Sequence, residues 1–142
     1  MIVVDASVAV KWYVKEQGSD QADRILAGEQ RPVAPELIRV EVLSALCNQH
    51  RLYSKPKAHI ELLCGRWVRD LEDYSLRLFD QAGLMEQSWN IALTFQHAVY
   101  DCVYLALAEQ LGAPLVTADD TFIGKVRQAF PRARLLAGME AN

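Results

Sequence analysis

The sequence predicts an α/β domain of three layers, α/β/α, with a central, mainly parallel sheet of about five strands. Two short β-branched runs, Ile2-Val3-Val4 and Leu115-Val116-Thr117, each stop at an acidic residue. Longer segments of helical character separate these and three weaker extended pieces. Alternation of this kind is the signature of βαβ units, whose crossover helices cover both faces of a parallel sheet.

In chain order, Ile2 to Val4 is the first strand, and Ser7 is a candidate cap for the helix that follows. Arg31 to Pro35 is an extended piece fenced by prolines, and Glu36 to about Arg51 is helical. A further helix runs from about Pro56 to Leu71 with Ser54 as its cap. Leu76 to Phe79 alternates like a strand, and Met85 to about Ala98 is helical. Asp101 to Leu111 is strongly helical, closed by Gly112 and Pro114. After the run at Leu115, a last helix from Thr121 to Phe130 precedes an edge strand at Ala133 to Leu136. No repeat or linker divides the chain, so residues 1–142 read as one domain.

Composition narrows the function. The chain has 142 residues, 51% hydrophobic and 23% charged, enough for a core without disulfides or a structural metal. Fifteen Lys and Arg against eighteen Asp and Glu give a net charge of -3, so a polyanionic partner has to be met by a local patch. Cys47, Cys64 and Cys102 lack metal or disulfide spacing and read as small core residues carrying free thiols. There is no basic leader before Ile2 and no apolar stretch of the roughly 18 residues that a membrane span requires, so a soluble cytoplasmic protein is expected.

Ligands in open α/β sheets bind beyond the carboxyl ends of the strands, where Asp5 and Asp119 stand. Taken singly, Asp5, Asp101 and Asp119 or Asp120 are each explained as helix-cap or helix-dipole residues, worth about 1 kcal/mol. Glu41 is harder to explain that way. On a helix it falls within roughly 40° of Ser44 and Asn48, a narrow polar stripe on an otherwise apolar surface. Either that stripe is the wet face, or Arg39 faces water and Glu41 points inward, where a carboxylate requires a cation or hydrogen-bond donors. Two carboxylates ~5 Å apart repel by roughly 3 kcal/mol at an effective dielectric near 20, so gathering four demands a compensating charge. An all-oxygen ligand set points to Mg²⁺ or Mn²⁺, and such an ion suits phosphodiester hydrolysis. The three histidines, His50, His59 and His97, show no metal spacing to one another and receive no role.

Four blocks carry a resemblance: Met1-Ile2-Val3-Val4-Asp5-Ala6-Ser7; Pro35-Glu36-Leu37 leading to Glu41-Val42-Leu43-Ser44-Ala45-Leu46; Tyr100-Asp101-Cys102-Val103-Tyr104-Leu105-Ala106-Leu107-Ala108; and Pro114-Leu115-Val116-Thr117-Ala118-Asp119. In this order and spacing the chain resembles PIN-domain ribonucleases of the VapC toxin type. The resemblance implies an acidic Mg²⁺ or Mn²⁺ site, endonucleolytic cleavage of RNA, a homodimer, and silencing by a cognate antitoxin. It places Asp5, Glu41, Asp101 and Asp119 on the family's catalytic, metal-binding quartet and Ser7 and Thr117 on its supporting hydroxyls. Ser44 stands where many relatives carry Asn. Of the adjacent pair, Asp119 is the expected site residue and Asp120 a cap, because Asp119 shares its side of the strand with Thr117.

Lys11, Lys125 and Arg127 are candidate RNA contacts, set in basic stretches that also read as solvated helix faces. Trp12, Tyr13, Trp67 and Trp89 read more readily as core or interface residues than as base-stacking platforms. The competing functions are a catalytically inactive PIN-like module that binds RNA or protein, and a phosphatase or phosphotransfer protein. Asp5-Ala6-Ser7 lacks the second acid that the phosphatase would carry two residues on.

Overall fold

The strands associate in the order β3-β2-β1-β4-β5, every pair parallel. They are β1 (Ile2–Val4), β2 (Pro32–Pro35), β3 (Arg77–Phe79), β4 (Leu115–Thr117) and β5 (Ala133–Leu135). The computed structural model describes residues 1–73 and 75–139. All five strands expected from the sequence are present, and the sheet is wholly parallel. β1 and β4 are buried along their entire length, as central strands covered on both faces must be. Pro32 and Pro35 stand first and last in β2, where a missing N–H disturbs the ladder least.

The helices are α1 (Ala6–Ala9), α2 (Ser19–Ala27), α3 (Ile38–Arg51), α4 (Lys57–Glu72), α5 (Met85–Phe95), α6 (Val99–Leu111) and α7 (Asp120–Val126). With right-handed crossovers, this strand order puts α1 to α4 on one face and α5 to α7 on the other. Seven consecutive residues of α6, Cys102 to Ala108, are buried. The helix is apolar all round because the sheet covers one side and α5 the other. Gly112 closes it at φ 62°, a left-handed position that a side chain would strain.

Several local expectations are corrected. Ser7 does not cap α1. Asp5 occupies that position and accepts from the Val8 N–H, whereas Ser7 already lies inside the helix. Ser54 does not cap α4, whose cap position is Pro56; Ser54 adopts φ 57° in the preceding turn. The segment Ser19–Ala27 was not anticipated as a helix, because its apolar positions are few and Gly18 enters it with φ 89°. Cys47 is exposed on α3 rather than in the core, Cys64 is half-buried on α4, and Cys102 is buried.

The tryptophan expectations hold for three of the four aromatics. Trp67 is 1% exposed, donates its indole N–H to the Arg39 carbonyl at 3.1 Å, and meets Tyr13 edge-on with ring centroids 5.7 Å apart. Trp12 donates to the Ala22 carbonyl and Tyr13 to Asp70, whereas Trp89 is half exposed. Replacing Trp67 with alanine should cost about 3–5 kcal/mol, measured as a lower midpoint of denaturant unfolding.

Candidate active site

The chain leaves β1 toward β2 and leaves β4 toward β5, so a crevice opens between the carboxyl ends of these neighbouring strands. Asp5 follows β1 and is 4% exposed; its Oδ1 accepts from the Ser7 hydroxyl at 2.5 Å and the Val8 N–H at 3.3 Å. The Ser7 hydroxyl in turn accepts from the Ala118 N–H at 2.9 Å and lies 3.4 Å from the Thr117 hydroxyl. Thr117 Oγ1 accepts from the Asp119 N–H at 3.0 Å. Two hydroxyls thus stitch the end of β1 to the end of β4 and fix both carboxylates relative to each other.

Asp119 performs two tasks. Its Oδ1 caps α7 by accepting from the Phe122 N–H at 3.0 Å, and its Oδ2 lies 4.0 Å from His97 Nε2. Asp120 is the exposed first residue of α7, so the expectation that it caps the helix is corrected. A cap requires extended backbone, which Asp119 has on leaving β4 and a residue inside the helix does not.

Glu41 lies in the first turn of α3. With Ser44 and Asn48 it lines a groove of about 460 Å³ that Ser7 and Tyr100 share. Arg39 points outward and pairs with Glu36 at 2.5 Å, both half exposed. The polar stripe is therefore the groove wall. Among the described residues, Glu41 Oε1 is buried without a hydrogen-bond partner, and so is the hydroxyl of Tyr104, which is 1% exposed.

Asp101, in the first turn of α6, is where the acids meet. Its charge is felt by both Asp5 and Glu41, and its Oδ2 is 2.5 Å from His97 Nε2. One ligand atom each from His97, Asp101 and Asp119 lie within 4.8 Å of one another, a spacing compatible with a shared metal ion. Burial, opposed by the Ser7 and Thr117 hydroxyls and reinforced by the Asp101 charge, pushes the Asp5 carboxyl up to about 6. Burial and Asp101 likewise raise Glu41, with the neighbouring Tyr104 hydroxyl acting against them. Among the described residues, neither Asp5 nor Glu41 pairs with a lysine or arginine. Such a donor set fits a hard divalent cation, because Asp5 and Glu41 have no basic partner among the described residues.

His97 lies beside two of the four acids and was given no role from the sequence. Screening histidines for spacing to one another misses it; the four-residue step from His97 to Asp101 is the signal that finds it. The expected RNA contacts fare differently. Lys11 is largely buried and paired with Glu16 at 2.9 Å. Lys125 is exposed, and its ammonium donates to the Gln96 carbonyl at 3.0 Å and contacts His97 Nδ1 at 3.2 Å. Arg127, at the end of α7, is exposed.

Comparison with known proteins identifies the family and the fold. The family model described as PIN domain matches residues 2–126. Ribonuclease VapC3 of Pyrobaculum aerophilum is 30% identical over 122 residues, covering 83% of this chain and 88% of the relative. A toxin-antitoxin complex from Klebsiella pneumoniae contains a chain of the same fold, with TM-score 0.69 and 13% identity, covering 96% of this chain and 98% of that one. The Mycobacterium tuberculosis VapC20 structure, described as a Sarcin-Ricin loop cleaving toxin, aligns with TM-score 0.67 and 15% identity over 87% of this chain and 94% of that one. With the PIN model spanning most of its length and a VapC ribonuclease as a close relative, this chain belongs to the PIN domain family, in its VapC-type group.

Proposed function

We propose that the protein is a Mg²⁺- or Mn²⁺-dependent endoribonuclease, the toxin of a toxin-antitoxin pair, acting on RNA in the cytoplasm. The observation that carries this reading is the gathering of Asp5, Glu41, Asp101 and Asp119 at one crevice without a lysine or arginine partner for Asp5 or Glu41. The ribonuclease name of VapC3 and the toxin descriptions of the structural neighbours support it. An antitoxin partner follows from the same relatives, and a homodimer from the family resemblance. The whole chain, 1–142, acts as one domain.

Asp5, Asp101 and Asp119 would hold the ion, with Ser7 and Thr117 keeping the first and last in register. Ser7 donates to Asp5 Oδ1 and the Phe122 N–H donates to Asp119 Oδ1, which fixes the orientation of both carboxylates. When bound, the cation polarises the scissile phosphate and supplies an activated water. Glu41, with its raised proton affinity, completes the ligand set or takes a proton from the water at its second oxygen, Oε2. Arg127 contacts phosphate beside the crevice.

Cleavage of structured RNA should require Mg²⁺ or Mn²⁺, stop on adding EDTA, and fall about 100-fold or more in Asp5→Asn, beyond the loss typical of outer-shell partners. RNA binding without any cleavage would instead favour the catalytically inactive binding module. Arg127→Ala should weaken RNA binding and flatten its log-log salt dependence by about 0.7 for the lost phosphate contact.

A pH effect follows from Asp5. Its proton is held more tightly in the folded than in the unfolded chain, so the metal-free fold is favoured by protonation. That advantage is complete below pH 3.8 and lost as pH rises through about 6. Above that window, Asp5→Asn removes the buried charge while its amide oxygen still accepts from Ser7 and Val8. At pH 8 without divalent ions, Asp5→Asn should be more stable than wild type by about 2–3 kcal/mol. Thermal melts should show the gap closing toward pH 4, and closing at pH 8 when Mn²⁺ is added.

A further inference from the structure

His97 occupies the turn between α5 and α6, its side chain 11% exposed. Its ring stacks on Phe122 of α7, with centroids 4.6 Å apart and planes at 29°. Both ring nitrogens are engaged. Nε2 is 2.5 Å from Asp101 Oδ2, and Nδ1 is 3.2 Å from the Lys125 ammonium, which also donates to the Gln96 carbonyl at 3.0 Å. Gln96 itself ends α5 in the left-handed region at φ 51°, so the lysine anchors the turn that carries the histidine.

These contacts determine which nitrogen carries the hydrogen. An ammonium has three N–H donors and no lone pair, so it can hydrogen-bond to Nδ1 only if Nδ1 is the acceptor. The ring hydrogen then resides on Nε2 and points at Asp101 Oδ2. A lone pair on Nε2, which a metal ligand needs, is absent in that tautomer. We infer that Lys125, His97 and Asp101 form a positioning relay: Lys125 at Nδ1 and Asp101 at Nε2 impose the same tautomer, and His97 donates to Asp101 Oδ2, leaving Oδ1 for the ion. His97 is thus a positioning residue and not a ligand, although its distances to Asp101 and Asp119 alone would admit either role. The inference rests on Asp101 being an ion ligand, as proposed above.

The test combines ring NMR with Mn²⁺ binding on the full chain. In ¹⁵N-labelled protein, with the His97 signals assigned by their loss in His97→Gln, the metal-free ring should carry its hydrogen on Nε2. It should keep that hydrogen on saturation with Mg²⁺, a diamagnetic probe. In Asp101→Asn, whose amide can donate or accept, Lys125 alone should keep the hydrogen on Nε2, whereas adding Lys125→Met to that variant should give a mixture of tautomers. Loss of the Nε2 hydrogen on adding Mg²⁺ to wild type, or the same tautomer in Asp101→Asn with and without Lys125→Met, overturns the relay. For Mn²⁺, titrated alone and followed by its free-ion spin resonance, His97→Leu should raise Kd about 10–100-fold. His97→Gln presents an amide N–H in the same place and should stay within a few-fold of wild type; equal loss in both variants counts against the relay. Thermal melts of both variants separate a folding defect from a binding defect. If wild type binds no Mn²⁺, the ion-site reading fails, whereas the metal-free tautomer still decides whether the relay exists.

Discussion

Mutual repulsion among carboxylates gathered at one crevice, one of them buried, is the constraint around which this molecule is built. Asp5, Glu41, Asp101 and Asp119 are the N-cap or first-turn acids of α1, α3, α6 and α7. Four helix N-termini therefore face one crevice, and their partial positive ends offset part of the repulsion. The offset is small, fractions of a kcal/mol to about 1 kcal/mol per end, against a few kcal/mol for each close pair of charges. Burial is the larger cause of the raised proton affinities of Asp5 and Glu41, and the Asp101 charge adds to both.

The sheet order makes the gathering possible. Because β1 and β4 are adjacent but lead to opposite edges, the loops after them part instead of covering the strand ends. Two short side chains then set the geometry: Ser7 reaches from α1 to the Ala118 N–H, and Thr117 receives the Asp119 N–H. Each hydroxyl serves as donor and acceptor at once. An alanine at either position would free a backbone N–H as well as a carboxylate, so stability and site geometry are coupled through the same atoms.

The sheet and the acids were legible in the sequence because each leaves a local pattern. Val3 and Val4 or Leu115 and Val116 are buried on both faces and read as uninterrupted apolar runs. The Glu41, Ser44 and Asn48 stripe is a periodicity that one helix displays by itself. What failed depended on contacts across the fold. Ser7 looks like a cap from its neighbours, yet its partners are Asp5 and, 111 residues away, Ala118. Lys125 is an exposed cation as its basic stretch implies, but its contact with His97 depends on α7 packing on the α5–α6 turn. Cys47 sits in an apolar run but on the exposed side of α3, where periodicity alone leaves the phase of the helix open.

Rigidity at the meeting point of the acids comes from α6. A helix buried along Cys102 to Ala108 cannot slide or rotate without opening voids against both the sheet and α5, at a cost that scales with cavity volume. Asp101 at its first turn is consequently held from behind by packing and from the side by His97. Tyr104 stands one turn further along the same helix, fully buried, with its hydroxyl beside Glu41 and lacking a partner. A phenylalanine would fill that space without leaving a buried polar atom unsatisfied. The hydroxyl therefore has a use only if Glu41 or a water at the site sometimes accepts it, which happens when Glu41 is charged. The same helix thus supplies Asp101 and, three residues on, a donor matched to the Glu41 carboxylate opposite, so one rigid element sets the positions of both groups.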